Sequence, residues 1–319
     1  MARESDNVIE GWVKLAIALG VGMALAWVVV FLRLGTPSVW VHAMLIPTLG
    51  AATFALMVAG LMFTLFRPPA FRRSRAVAFA VLLTAGVVGN IPIVAPPLAT
   101  ADWESDVPHY LPFQGEWVTL AGGPDSARNY QATTAALRWG YDFTVVRNDA
   151  KFALDGHRNE DWFCWGEPVY APVAGRVVVA VDGVVDNRLG EIDPESVFGN
   201  HVALQVAPDE YVFIANLQRE SLTVRAGDEV TPDVLIGRCG NSGRSIEPHV
   251  HVHAQDRLGF PIAQGLPLVF SRYEADGVVV ERGMPLGSED WDAADGQRVS
   301  TTVRDHAIKD GVETAPDRK

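Results

Sequence analysis

Three histidines alternate with valines near the end of the polar part of the chain, at His249, His251 and His253. On a β-strand, side chains two positions apart share one face and lie about 7 Å from each other. Imidazole nitrogens bind zinc, and imidazole also exchanges protons near neutral pH. The spacing therefore indicates either a metal or acid–base site or a surface strand whose histidines have no chemical role.

The residues around these histidines predict short strands. Segments rich in β-branched and aromatic residues are bounded by Gly, Pro, Asn or Asp, at residues 175–183, 201–206 and 211–215. No segment between residues 115 and 280 sustains an apolar stripe with helical spacing. We expect an all-β domain over residues 115–285, built from a sheet with hairpins. Residues 99–114 are expected to be a linker, and the polar residues 286–319 a disordered tail.

The first 98 residues have a different composition. Uncharged apolar runs cover about residues 15–32, 43–66 and 76–95, and each is long enough to cross a hydrocarbon core of about 30 Å. They predict a membrane domain of three transmembrane α-helices. Four arginines lie between the second and third runs, which places that loop and the N-terminus in the cytoplasm and the β domain outside it. These are Arg67, Arg72, Arg73 and Arg75.

Charge is distributed unevenly along the chain. Residues 1–98 have a net charge of +4 and residues 99–319 a net charge of −16, within a total of −12. The acidic part offers no basic surface for phosphates, which excludes a nucleic-acid partner. Two cysteines, Cys164 and Cys239, are too few for a disulfide scaffold. Both lie on the exported side, where they either form a disulfide or remain as two buried thiols.

Four segments, taken in order, resemble the lysostaphin-type zinc metallopeptidases of family M23. They are Tyr-Asp-Phe at 141–143, Glu-Pro-Val-Tyr and its continuation at 167–177, the segment 228–247, and Pro-His-x-His at 248–251. The resemblance runs from about residue 111 to 285. It implies an antiparallel β core with zinc in a groove, and cleavage of peptide cross-links in bacterial peptidoglycan. It thereby implies location at the bacterial inner (cytoplasmic) membrane.

The resemblance also implies the roles of individual residues. Asp142 and His251 match two zinc ligands, and His249 matches a catalytic histidine. The first zinc ligand usually lies four residues before the aspartate, where this chain has Arg138. In one branch of the family it lies earlier, in a segment that resembles residues 122–131 and ends here in Gln131.

The second catalytic histidine of the family corresponds to Asn216. A neutral amide binds zinc less tightly than an imidazole, and asparagine does not exchange a proton near pH 7. Amides at Gln131 and Asn216 therefore predict a partly degenerate active site, with zinc held weakly or lost. Three other histidines are replacement ligands on chemistry alone, although each also has a structural interpretation. They are His109, His157 and His201.

Two functions follow from the resemblance. The first is a membrane-anchored M23-like protein with reduced or lost hydrolysis, which binds peptidoglycan peptides or regulates another cell-wall hydrolase. The second is an active zinc-dependent endopeptidase that cuts peptidoglycan cross-links. A transporter or receptor that uses the three spans is disfavoured, because none of the apolar runs contains a charged residue.

Overall fold

The computed structural model describes residues 10–67, 72–90 and 98–301. The chain divides into two compact units. One comprises Met1–Ala99 and Gly259–Gln264, and the other comprises Thr100–Leu258 and Gly265–Lys319. The first is helical over its described N-terminal residues, and the second is built on a β-sheet.

The described part of the first unit contains four α-helices. They are α1 (Gly11–Phe31), α2 (Thr36–Trp40), α3 (Ile46–Phe66) and α4 (Arg73–Asn90). A π-helical turn at Val41–Leu45 joins α2 to α3, so the second helix runs without a break from Thr36 to Phe66. Pro47 lies at the start of α3 and has no N–H to donate to residue 43. The widened turn before it accommodates the proline ring within a continuous helix.

Two helices are long and apolar enough to cross a membrane, namely Gly11–Phe31 and Thr36–Phe66. The third predicted span, residues 76–95, forms α4 as far as Asn90, and its remaining residues lie outside the described ones. Arg73 and Arg75 at the start of α4 lower its mean hydropathy. The helical unit thus contains two clear candidates for membrane spans.

Helices α3 and α4 approach each other closely at a pair of glycines. A Cβ atom added to Gly50 would lie 2.9 Å from the carbonyl carbon of Gly89. Small residues at such a crossing let two helix backbones touch, which is a common way of packing membrane helices.

Thirteen strands occur in the described part of the second unit. They are β1 (Glu116–Ala121), β2 (Tyr141–Thr144), β3 (Pro168–Tyr170), β4 (Gly175–Val181), β5 (Asn200–Ala207), β6 (Glu210–Leu217), β7 (Glu229–Val230), β8 (Leu235–Arg238), β9 (Val250–Gln255), β10 (Gly265–Leu266), β11 (Phe270–Ala275), β12 (Val278–Gly283) and β13 (Arg298–Ser300). The main sheet has the order β12-β11-β13-β1-β2-β9-β6-β5-β4-β7, with β10 beside β9, while β3 and β8 form a separate pair. All these pairings are antiparallel. The predicted β-sheet domain is confirmed.

The predicted linker is wrong for its last residues. His109, Leu111 and Phe113 are buried in the β unit, and the backbone N–H of Ser271 donates to the His109 carbonyl oxygen over 2.7 Å. The Phe113 ring stacks on Trp117 with 4.4 Å between ring centroids. The apolar residues Leu111, Pro112 and Phe113 are all buried, and they are the signal that the linker prediction overlooked.

The predicted disordered tail is wrong for residues 286–301. Strand β13 pairs with both β1 and β11, and the Ser288 N–H donates to the Leu120 carbonyl oxygen over 3.0 Å. Backbone hydrogen bonds hold this segment in place. Because such bonds do not depend on the side-chain type, the polar sequence contains no apolar pattern that would predict an ordered segment. Residues 302–319 of the predicted tail lie outside the described residues.

The structure joins Cys164 and Cys239 in a disulfide, with 5.9 Å between their Cα atoms. Both side chains are fully buried in the main hydrophobic core. The bond ties the turn before β3 to the end of β8. The Cys239 N–H also donates to the Glu167 carbonyl oxygen, and the Gly166 N–H donates to the Cys239 carbonyl oxygen.

Candidate functional site

Two neighbouring strands position the predicted ligands. Asp142 on β2 and His251 on β9 are direct partners in the antiparallel register, so their side chains emerge on the same face of the sheet. His249 lies just before β9, and Gln131 belongs to a short 3₁₀ helix, Tyr130–Thr133. The structure therefore brings together four residues that the sequence predicted for the site.

The Asp142 carboxylate is fully buried and accepts three short hydrogen bonds. The donors are the Tyr130 hydroxyl at 2.7 Å, the Gln131 Nε2 at 2.8 Å and the His251 Nδ1 at 2.7 Å. Burial alone would raise the pKa of Asp142. The imidazoles of His249 and His251, with the hydrogen bonds, outweigh burial and lower the pKa of this carboxyl below its usual value.

Local hydrogen bonds fix the position of Gln131. The Asn129 side chain accepts from the Gln131 backbone N–H and donates to the Gly140 carbonyl oxygen, which ties the 3₁₀ helix to the start of β2. Gln131 Nε2 also lies 3.2 Å from His251 Nδ1. Gln131 Oε1 is buried with no hydrogen-bond partner among the described residues, and a Cβ atom added to Gly140 would lie 2.3 Å from it.

A row of polar side chains continues from His251 along β9. His251 Nε2 lies 2.9 Å from His253 Nδ1, and His253 Nε2 lies 3.1 Å from Gln255 Oε1. Gln255 in turn donates to the Arg257 carbonyl oxygen over 2.7 Å. Burial, followed by the neighbouring His251, lowers the pKa of His253 well below its ordinary value. His253 is therefore an interior residue of the site, and the alternative of a surface strand is wrong for it.

The residues just before His249, from the turn that contains Gly240 and Gly243, fix the position of its ring. Its Nδ1 donates to the Glu247 carbonyl oxygen over 2.8 Å and lies 3.2 Å from Ser245 Oγ. Its Nε2 faces Asp142 Oδ1 at 3.7 Å. The Glu247 side chain forms a buried ion pair with Lys151, with 2.7 Å between Nζ and Oε1.

Asn216 lies on β6, next to β9, but its side chain binds the backbone of the turn that contains Gly240 and Gly243. Its amide donates to the Ser242 carbonyl oxygen over 2.8 Å, and its φ of 58° is in the left-handed region that asparagine tolerates well. The three candidate replacement ligands make contacts of their own. His109 lies 3.0 Å from Glu210, His201 Nδ1 lies 2.8 Å from the Gly199 carbonyl oxygen, and the His157 backbone N–H donates to Asp155.

Comparison with known families decides what type of domain this is. Residues 156–261 match the sequence model of Peptidase family M23. This part of the chain is therefore similar to peptidase family M23. The match contains His249, His251 and Asn216, whereas Gln131 and Asp142 precede it. A comparison with curated proteins finds no match.

Several solved structures resemble this domain. The catalytic domain of the prophage-encoded M23 protein EnpA from Enterococcus faecalis is 20% identical, with 50% of this chain and 93% of that chain covered and a TM-score of 0.31. The catalytic domain of lysostaphin from Staphylococcus simulans is 20% identical, with 48% and 88% covered and a TM-score of 0.27. A zinc-containing peptidase from Vibrio cholerae is 18% identical, with 47% and 37% covered and a TM-score of 0.29.

Family M23 suggests zinc, but the donor set at this site does not fit a zinc ion. No group of three or more His, Cys, Asp or Glu side chains in the described ranges is placed to hold a metal. At the third ligand position, an amide nitrogen of Gln131 faces Asp142 and His251, and an amide N–H cannot coordinate a cation. The carboxylate of Asp142 is satisfied by protein donors in place of a metal.

Three residues of this site were absent from the ligand and catalytic set that the resemblance implied. Tyr130 bonds directly to Asp142, His253 bonds to His251, and the Trp291 ring lies beside His249 with 5.8 Å between ring centroids. The position of Tyr130 next to Gln131 and the His-x-His-x-His spacing were available signals for the first two. Trp291 lies in the segment predicted as a disordered tail, so its sequence context pointed away from the site.

Proposed function

We propose that this M23-type protein is anchored in the bacterial inner membrane and binds peptidoglycan peptides in its groove without hydrolysing them. The proposal extends the M23 assignment to a substrate class, a location and a catalytic state. It rests on one observation above all, the hydrogen bonding of Asp142.

Asp142 carries the proposal because its carboxylate already has three donors in Tyr130, Gln131 and His251. Hydrolysis by a zinc peptidase requires a metal that lowers the pKa of a bound water. Here, binding a metal would require the Gln131 amide to leave its bonds to Asp142. The arrangement favours a stable, metal-free site, and the proposed role requires of it only that a wall peptide binds there.

The membrane anchor supports the location. Two helices are candidate spans, and α4 together with residues up to 95 is proposed as the third. The arginines between the second and third spans favour a cytoplasmic loop, which places the M23 domain on the outer side. Reporter fusions test this arrangement. Fusions after residue 100 should be active only with an exported reporter, and fusions near residue 72 only with a cytoplasmic one; the reverse pattern would overturn the location.

Metal analysis and digestion of peptidoglycan test the catalytic state. We expect the full chain, purified in detergent, to contain no stoichiometric zinc and to release no new amino groups from isolated sacculi, while it co-sediments with them. A matched His251→Ala variant should behave the same in digestion. Zinc-dependent digestion that is abolished by His251→Ala would overturn the proposal and establish the active endopeptidase.

A further inference from the structure

A loop that follows the residues matched by family M23 places an aromatic ring beside the site. Trp291 lies in the loop of residues 286–297, between β12 and β13. Its ring is edge-on to His249 and also to Tyr130, with 5.8 Å and 5.6 Å between ring centroids. Tyr130 and Trp291 thus form an aromatic corner beside the hydrogen-bonded floor at Asp142.

The loop is fixed in place. Glu289 forms an ion pair with Arg128, and the Asp295 side chain accepts hydrogen bonds from two backbone N–H groups of the loop. At Gly296 the loop touches β1 so closely that an added Cβ atom would lie 1.9 Å from the Thr119 carbonyl oxygen. The Trp291 carbonyl oxygen accepts from Lys151 Nζ over 3.3 Å. A ring held in this way is preorganised, which lowers the entropy cost of binding a ligand.

Two features of the corner point to a ligand. The Tyr130 side chain is 60% exposed although its hydroxyl is bound to Asp142, so its face is open while its tip is anchored. The indole Nε1 of Trp291 is buried, and it has no acceptor in the described part of the chain. A buried donor without an acceptor costs free energy, which a ligand carbonyl oxygen within hydrogen-bond distance of Nε1 would recover.

Three charged groups that surround the rings of the corner are already paired, whereas Asp290 and Asp292, which flank Trp291 in the sequence, are exposed. Lys151 pairs with Glu247, Arg128 pairs with Glu289, and Asp142 accepts from His251. The corner therefore offers ring faces and one N–H donor and no unpaired charge at these positions. Such a surface suits apolar groups and peptide carbonyls better than ionised ligand groups.

We propose that Trp291 is a specificity-determining residue of the groove, which binds the uncharged, alanine-containing portion of a peptidoglycan peptide. The ring packs against the alanine methyl groups, and the indole N–H donates to a peptide carbonyl oxygen. This assignment rests on the proposed function, and it adds the part of the peptide that is recognised and the residue that recognises it.

Titration calorimetry of the full chain in detergent with a synthetic stem pentapeptide, L-Ala-γ-D-Glu-diaminopimelate-D-Ala-D-Ala, tests the assignment. Trp291→Ala should weaken binding about tenfold or more, and Trp291→Phe, which keeps a ring but lacks the N–H, about threefold. Val279→Ala should leave binding unchanged, because Val279 is an exposed apolar residue on β12, five strands away from β9. Affinity of the unmodified chain should change little between about 0.1 M and about 1 M salt, because no charge pair is formed.

The outcomes separate this inference from the proposed function. If the unmodified chain binds the pentapeptide and Trp291→Ala binds it equally well, the assignment of Trp291 is wrong while peptide binding stands. If the unmodified chain binds neither the pentapeptide nor sacculi, both proposals fail. Near-ultraviolet circular dichroism checks that each variant is folded. Should Trp291→Ala unfold, an unweakened Trp291→Phe together with strongly salt-dependent binding would overturn the assignment.

Discussion

Gln131 donates its side-chain amide to Asp142 over 2.8 Å, and the same nitrogen lies 3.2 Å from His251. The amide N–H group therefore lies between the carboxylate and the imidazole, where a cation bound by both would have to be. The consequence is that Asp142, Gln131 and His251 hold one another in place by hydrogen bonds between protein side chains.

Replacing Gln131 tests this relationship. Gln131→His supplies an imidazole beside Asp142 and His251, so we expect the variant to gain a zinc-dependent increase in melting temperature that the unmodified chain lacks. Gln131→Leu is the matched control, since it removes a donor to a buried carboxylate and adds no ligand. It should lose about 1–3 kcal/mol of unfolding free energy and show no response to zinc. A zinc response in the unmodified chain would contradict the interpretation.

The buried pair of Lys151 and Glu247 predicts a strong dependence on both partners. Both side chains are at most 9% exposed, and Glu247 lies two residues before His249. Lys151→Met leaves the Glu247 carboxylate buried without its cation and should cost about 3–5 kcal/mol in chemical denaturation. The double variant Lys151→Met/Glu247→Leu should recover much of this loss. If the double variant is as unstable as the sum of the single ones, the pair is not energetically coupled.

The disulfide between Cys164 and Cys239 predicts a redox-dependent stability. It spans 75 positions of sequence, so its loss enlarges the conformational freedom of the unfolded chain. Cys164→Ser should lower the unfolding free energy by about 2–5 kcal/mol, and reduction of the unmodified chain should have a similar effect. Cys164→Ser/Cys239→Ser should be no less stable than the single variant. Two titratable thiols in the unfolded, non-reduced protein would show that no bond forms.

His253 predicts a loss of stability in mild acid. Its lowered pKa keeps it neutral in the folded state, whereas the unfolded chain takes up a proton near its ordinary pKa of about 6.5. The contribution of His253 is therefore complete above about pH 6.5 and declines as the pH falls below that value. His253→Gln should flatten the pH dependence of the melting temperature between about pH 7 and about pH 5. The Asp142 carboxyl, whose pKa is lowered, makes a stabilising contribution that is complete above about pH 4 and is lost as the pH falls below that value, outside the range of this experiment.

The fold class was predictable, because β-branched residues between turns indicate buried strands. The segments at residues 175–183, 201–206 and 211–215 correspond to β4, β5 and β6. Asp142, His249 and His251 came instead from the resemblance to family M23, and the structure places their side chains close together. The ordering of residues 286–301 was not predictable from the same signal. Its stability comes from backbone bonds to β1 and from two close glycine contacts, and neither leaves an apolar pattern.

The hydrogen-bond partners within the site also could not be predicted from the sequence pattern. The amides at Gln131 and Asn216 were expected to be weak versions of the family's histidines. The structure gives them different partners instead, with Gln131 donating to Asp142 and Asn216 donating to Ser242. A side chain's partner depends on tertiary contacts, such as those that Asn129 makes around Gln131, which residue type and spacing do not specify.

The pairing of β1 with β13 makes Glu116 and Ser300 direct partners in one ladder. The first and last described strands of the β unit are therefore neighbours, and a peptide that joins the residues after Ser300 to Thr100, the first residue of the unit, would leave this ladder intact. A circular permutant, closed between these ends and opened at an exposed turn such as Asp276-Gly277 between β11 and β12, should preserve the groove. Deleting either terminal strand would instead leave the other with an open edge, a site for aggregation.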